Sequence, residues 1–163
     1  GDQIRNLLRS QRSIMKMVEN LIKSMRDSLY DTQAQLTACS TLADWASDDY
    51  YSMIIGAFGG VGCIINAMLT HADNAEIQAQ ACISLAALSK NCISNRKILL
   101  DVNGVRVIGM AMSSHPRSEI VHKSACMALH QIASFREPCV AEMKMNKIKV
   151  LFQATLNGPE LSP

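Results

Sequence analysis

His122, Cys126 and His130 fall at positions i, i+4 and i+8 of one apolar stretch, "HKSACMALH". On a helix, that spacing sets three zinc-type ligands along one side. Zinc needs three or four ligands in tetrahedral geometry. Eight residues of helix span about 12 Å at 1.5 Å per residue, so the two histidines cannot easily share one ion. An i, i+4 pair would need a further ligand from elsewhere. "GAFGGVG", at 56–62, has the glycine content of a phosphate-cradling loop. A phosphate loop, however, ends in Gly-Lys-Ser/Thr after a strand; here Cys63 and Ile64 follow, with no strand pattern before them. No Ser/His/Asp set, HExxH or paired-carboxylate pattern is visible. The expectation is a protein without catalysis, metal or cofactor.

The elements that carry these residues follow from composition. The chain has 163 residues, 48% apolar but only 4% aromatic, with four prolines and eight glycines. Ala, Leu, Ile, Val and Met dominate the apolar stock, which predicts an all-α fold with short turns. The net charge of +2 leaves no general nucleic-acid footprint. Charge is unevenly placed, because residues 1–29 hold six basic and three acidic side chains. None of the six cysteines forms a CxxC pair. Their place in apolar helical segments points to free thiols in a reducing, cytoplasmic setting, nuclear or cytoskeleton-associated sites included. There is no signal-peptide pattern and no apolar run near 18 residues.

The chain repeats itself, and the repeat reinterprets the His-Cys-His line. "LTACSTLADWA" at 36–46, "AQACISLAALS" at 79–89 and "KSACMALHQIA" at 123–133 align Cys39, Cys82 and Cys126 in steps of 43 and 44. Leu42, Leu85 and Leu129 keep that register, as do Trp45, Leu88 and Ile132. A second segment aligns Val18, Val61, Val105 and Ile148, and then Leu21, Ile64, Ile108 and Leu151. Between them lie shorter apolar signals at Ile54, Ile55 and Phe58, at Ile98, Leu99 and Val102, and more weakly around Val140 and Met143. Each unit thus holds a short, a medium and a long helix. Cys126 reads as a recurring small core residue, whereas the slots of His122 and His130 hold Gln78 and Ala86 in the preceding unit. Gly60 and Gly104 are expected to supply a left-handed helix end between short and medium helices, with Asn146-Lys147 in their place in the last copy. Asp73 with Glu76 resembles a capping box, and Pro116 suits a first helical position.

A period near 43 with three helices per unit resembles the armadillo repeat. "NRKILLDVNGVRVIGMAMSSHPRSEIVHKSACMALHQIAS", residues 95–134, matches that pattern from end to end. HEAT repeats fit less well, having two helices and usually no glycine at this joint. The resemblance implies a right-handed α-solenoid of about three to four units: 1–29 as an N-terminal helix or cap, units at 30–72, 73–115 and 116–158, and 159–163 as the start of another helix. It implies a fragment of a longer array or one closed by a cap, with self-association through any bare end. It further implies that the long helices line a concave groove that binds a protein or peptide segment. The nuclear-import adaptors carry a Trp and an Asn four residues apart there. The matching pairs here are Ser40 and Asp44, Ile83 and Ala87, and Met127 and Gln131. None is Trp-Asn, which disfavours a receptor for nuclear-localisation signals. These six, with Lys90, are the expected groove residues.

Helical geometry places the groove independently. Ala125, Leu129 and Ile132 share one face by i, i+4, i+7 spacing, which turns Met127 and Gln131 away from the core. Trp45 sits in a core slot, near Tyr50 and Tyr51, and the aligned Met25, Met68 and Met112 read as packing residues. The N-terminal helix carries Arg5, Arg9, Arg12, Lys16, Lys23 and Arg26, opposite a stripe of Ile4, Leu8, Met15, Val18, Ile22, Met25 and Leu29. Such a helix either caps the array through its apolar side or binds a membrane or acidic surface. The leading expectation is a non-catalytic binding scaffold; surface binding through the basic helix is the alternative.

Overall fold

The computed structural model describes residues 1–134, all of whose regular elements are α-helices. They are α1 (Asp2–Asp27), α2 (Thr32–Trp45), α3 (Asp49–Ala57), α4 (Gly60–Thr70), α5 (Ala75–Lys90), α6 (Ile93–Asp101), α7 (Gly104–Ser114) and α8 (Glu119–Ala133). The expectations around Val140, Met143, Asn146-Lys147, Ile148, Leu151 and residues 159–163 lie outside the described residues.

Local chemistry explains where the helices start. Asp31 accepts from the Ala34 amide at 2.9 Å to open α2, and Asp48 accepts from those of Tyr50 and Tyr51 to open α3. At α5 the cap is Asn74, bonded to Ile77 N–H at 3.0 Å, rather than the expected Asp73. The turn places Asn74, not Asp73, in extended backbone at the residue before the helix. At α8 the cap is Ser118, so Pro116 stays in the preceding turn instead of opening the helix.

The short-to-medium joints also differ from expectation in a physically instructive way. The left-handed residues are Gly59 (φ 87°) and Asn103 (φ 57°), one position before the expected Gly60 and Gly104. Gly60 and Gly104 are instead the first residues of α4 and α7 and need to lack a side chain for contact reasons. A Cβ on Gly60 would lie 2.4 Å from Ile55 Cγ2, and one on Gly104 would lie 2.1 Å from Leu99 Cδ1.

Helices one repeat apart pack on each other: α3 on α6, α4 on α7, and α2, α5 and α8 in succession, with α5 in the middle. Ile22, Leu42, Ile55, Ile64, Leu85, Leu99 and Ile108 are all essentially inaccessible and belong to one continuous core. Trp45 packs partly buried against that core, its ring 5.9 Å from that of Tyr51. Hydrogen bonds tie equivalent places in consecutive units. Ser84 Oγ donates to Cys39 O (2.6 Å), Asn95 Nδ2 to Ser52 O (2.9 Å), His71 Nε2 to Leu29 O (2.7 Å) and His115 Nε2 to Ala72 O (2.8 Å).

α1 is one continuous helix whose packing covers only its second half. Val18, Ile22 and Met25 are buried, but Ile4, Leu7 and Leu8 are 66%, 60% and 55% exposed. Of the expected apolar stripe, Val18, Ile22 and Met25 therefore pack on the body, whereas Ile4, Leu8 and Met15 stand exposed. Among the described residues no single helix is long and apolar enough to cross a membrane; the apolar pair α3 and α4 is bent by 69° between its halves.

Candidate partner-binding groove

α5 and α8 lie side by side and leave a groove of about 540 Å³ between them. From α5 it is lined by Ile83, Ala86, Ala87 and Lys90. From α8 it is lined by Lys123, Cys126, Met127, His130 and Gln131. Five of the seven expected groove residues therefore gather at one place: Ile83, Ala87, Lys90, Met127 and Gln131. Met127 is the most prominent apolar side chain, 47% exposed. The reason is helical phase: Ala125, Ala128, Leu129 and Ile132 take the core face of α8, which leaves Met127 and Gln131 on the other.

Ser40 lines a separate, more polar cavity of about 370 Å³ along α2 and α5, with Thr37, Glu76 and Gln80 among its neighbours. Asp44 is exposed on α2 and lines neither cavity.

The basic helix residues divide in two. Lys23 pairs with Asp27 at 2.6 Å, and that hydrogen bond holds its ammonium above its usual pKa. Arg26 Nη2 donates to Phe58 O at 3.0 Å and so closes the end of α3. Arg5, Arg9, Arg12 and Lys16 are exposed and make no ion pair among the described residues.

The three would-be zinc ligands have separate roles. His122 Nε2 donates to His115 O at 3.2 Å, beside the end of α7. Cys126 and His130 line the groove. No group of three His, Cys, Asp or Glu side chains among the described residues is arranged to hold a metal. Cys126 departs from the core reading of its slot. Cys39 and Cys82 are buried, and burial pushes both thiols up to about 12, whereas Cys126 is exposed. Among the described residues α8 packs chiefly on α5 and α7.

One set of repeated residues escaped the sequence reading. Buried Gln35 Nε2 donates to Met25 O and Ser28 O, and Gln78 Nε2 donates to Met68 O and His71 O, each at 2.9 Å. His122 occupies the equivalent slot. Each side chain satisfies carbonyls at the end of the medium helix before it. The signal was present: a step of 43 joins two glutamines, and the next step reaches another side-chain donor. Identity matching at that slot hid a shared function.

No protein-family model matches the chain, nor does any curated protein or solved structure. The class that the fold defines is an all-α protein, with a groove between two helices as its candidate site.

Proposed function

We propose that the chain folds as an armadillo-like, right-handed α-solenoid and acts as a non-catalytic scaffold in the cytoplasm. Its partner is a segment of another protein laid in the groove between α5 and α8. The observation that carries the reading is the convergence of Ile83 and Ala87 from one unit with Met127 and Gln131 from the next. Packing of equivalent helices in succession and hydrogen bonds between equivalent places support the repeat architecture. An apolar floor with a few polar side chains suits an extended or helical peptide.

The test is a panel of peptide binders titrated by calorimetry against the wild type, Met127→Glu, Ile83→Glu and, as a control, Met53→Glu at an exposed position of α3. Both groove variants are expected to weaken binding roughly tenfold or more by burying a charge at the interface. Met53→Glu leaves affinity unchanged, and all variants keep the wild-type helical spectrum. Equal affinity across the panel sinks the groove assignment.

A second reading draws on α1. Ile4, Leu7 and Leu8 stand exposed beside the unpaired Arg5, Arg9, Arg12 and Lys16. That combination suits a helix lying on an anionic membrane surface. Sedimentation with phosphatidylserine vesicles at low and high salt tests it. Salt-sensitive binding that disappears on deletion of residues 1–13 supports this reading; binding unaffected by the deletion excludes it.

A further inference from the structure

We infer that the occupant of the α5–α8 groove is an acidic segment, with apolar residues flanked by carboxylates. This rests on the groove reading above and adds the chemical class of the partner. The groove's lining contains two charged side chains, Lys90 and Lys123, and no carboxylate. Both lysines are exposed, and neither makes an ion pair among the described residues. The neighbouring cavity along α2 differs: its charged lining residue is Glu76, and no cation joins it. The cationic character is therefore a property of this groove and not of the whole face.

Placement gives the inference its detail. Lys123 stands near the start of α8 and Lys90 at the end of α5. In the repeat register Lys123 is level with Ala79, which sets the backbone positions of the two lysines about 16 Å apart along the helices at 1.5 Å per residue. The apolar floor of Ile83, Ala87 and Met127 lies between them. An extended segment covers that distance in about five residues at 3.3 Å each. The fitting partner has an acidic residue at each end of a short run with apolar anchors between. A basic segment would meet two unpaired lysines, and like charges at an interface are excluded by repulsion.

The experiment is a selection from a displayed library of random 12-residue peptides against the full chain at low salt. The strongest binder is then synthesised with its acidic residues intact and with each Asp→Asn and Glu→Gln change. Affinities are measured for the wild type, Lys90→Glu/Lys123→Glu and Met127→Glu. Expected are enrichment of Asp and Glu around apolar residues, roughly tenfold weaker binding of the neutral peptide, and a similar loss in the double lysine variant. Binding also weakens as salt rises. Met127-sensitive binders that are basic or uncharged overturn the acidic assignment and leave the groove standing. So does a lysine double variant that binds the acidic peptide as the wild type does. Binders insensitive to Met127→Glu, or no binders at all, overturn the groove itself.

Discussion

Gln78 shows how much of this fold rests on single side chains. It is buried and donates to the carbonyls of Met68 and His71, which α4 leaves without helical partners at its end. Gln78→Ala removes the side-chain amide that serves both and leaves the buried Met68 carbonyl unmet, while His71 O keeps only the Asn74 N–H. The expected cost is about 1–3 kcal/mol, read from urea unfolding. Gln78→His is expected to recover part of it, because His122 fills the same slot one unit later and donates through Nε2. If the histidine variant is no better than the alanine variant, the shared role of the slot is wrong. Cysteines offer a second check at this scale. Cys126 is exposed, whereas Cys39 and Cys82 are sealed in the core. Brief alkylation of the folded protein followed by peptide mass mapping is expected to label Cys126 and spare the other two.

At the scale of elements, glycine positions separate geometry from habit. Gly56 on α3 faces Asn95 so closely that a Cβ there would lie 1.7 Å from Asn95 Oδ1. Asn95 is itself buried and donates to Ser52 O and Leu88 O, joining three helices. Gly56→Ala must displace that amide, and the expected destabilisation is about 2–4 kcal/mol. Gly62, inside α4, has open space around it. Gly62→Ala is expected to stabilise the protein by about 0.5–1 kcal/mol through lower chain entropy. Thermal or urea unfolding of the two variants gives opposite shifts; shifts of the same sign refute the contact argument. This contrast also marks what the sequence could disclose. Apolar periodicity and the repeat step located the helices, because 3.6-residue spacing and a step near 43 are visible in one dimension. The joints were misplaced by one residue at Gly59–Gly60 and Asn103–Gly104. There, left-handed backbone and close helix contact both favour glycine, and only coordinates separate the two demands. The exposed first half of α1 was equally hidden, since an amphipathic stripe does not reveal where its partner ends. On the groove side, helical phase sufficed to collect Ile83, Ala87, Met127 and Gln131. Asp44 sat in the same phase on α2 but lines neither cavity, and Lys123 and His130, at i−4 and i+3 from Met127, share its phase but lay outside the residue pairs that the repeat register picked out.

Across the whole molecule, the buried thiols make stability depend on alkaline pH. Cys39 belongs to α2 and Cys82 to α5, both in one continuous core. Burial lifts the Cys39 thiol from 9.0 to about 12, with neighbouring Cys63 adding to the shift, and burial alone does the same for Cys82. In the unfolded chain these thiols ionise near the ordinary value. Between about pH 9 and pH 12 the unfolded state therefore holds fewer protons than the folded state. Stability contributed by the protonated thiols is complete below pH 9 and falls as pH rises through that window. Lysine and tyrosine titration adds its own alkaline loss, so the informative quantity is a difference between proteins. Cys39→Ala/Cys82→Ala is less stable than the wild type at pH 7, because it leaves small cavities at two core positions. The gap between them is expected to narrow steadily as urea midpoints are measured from pH 8 to pH 11. A gap that stays constant over that range would mean that the thiols do not sense the folded core, contrary to their burial.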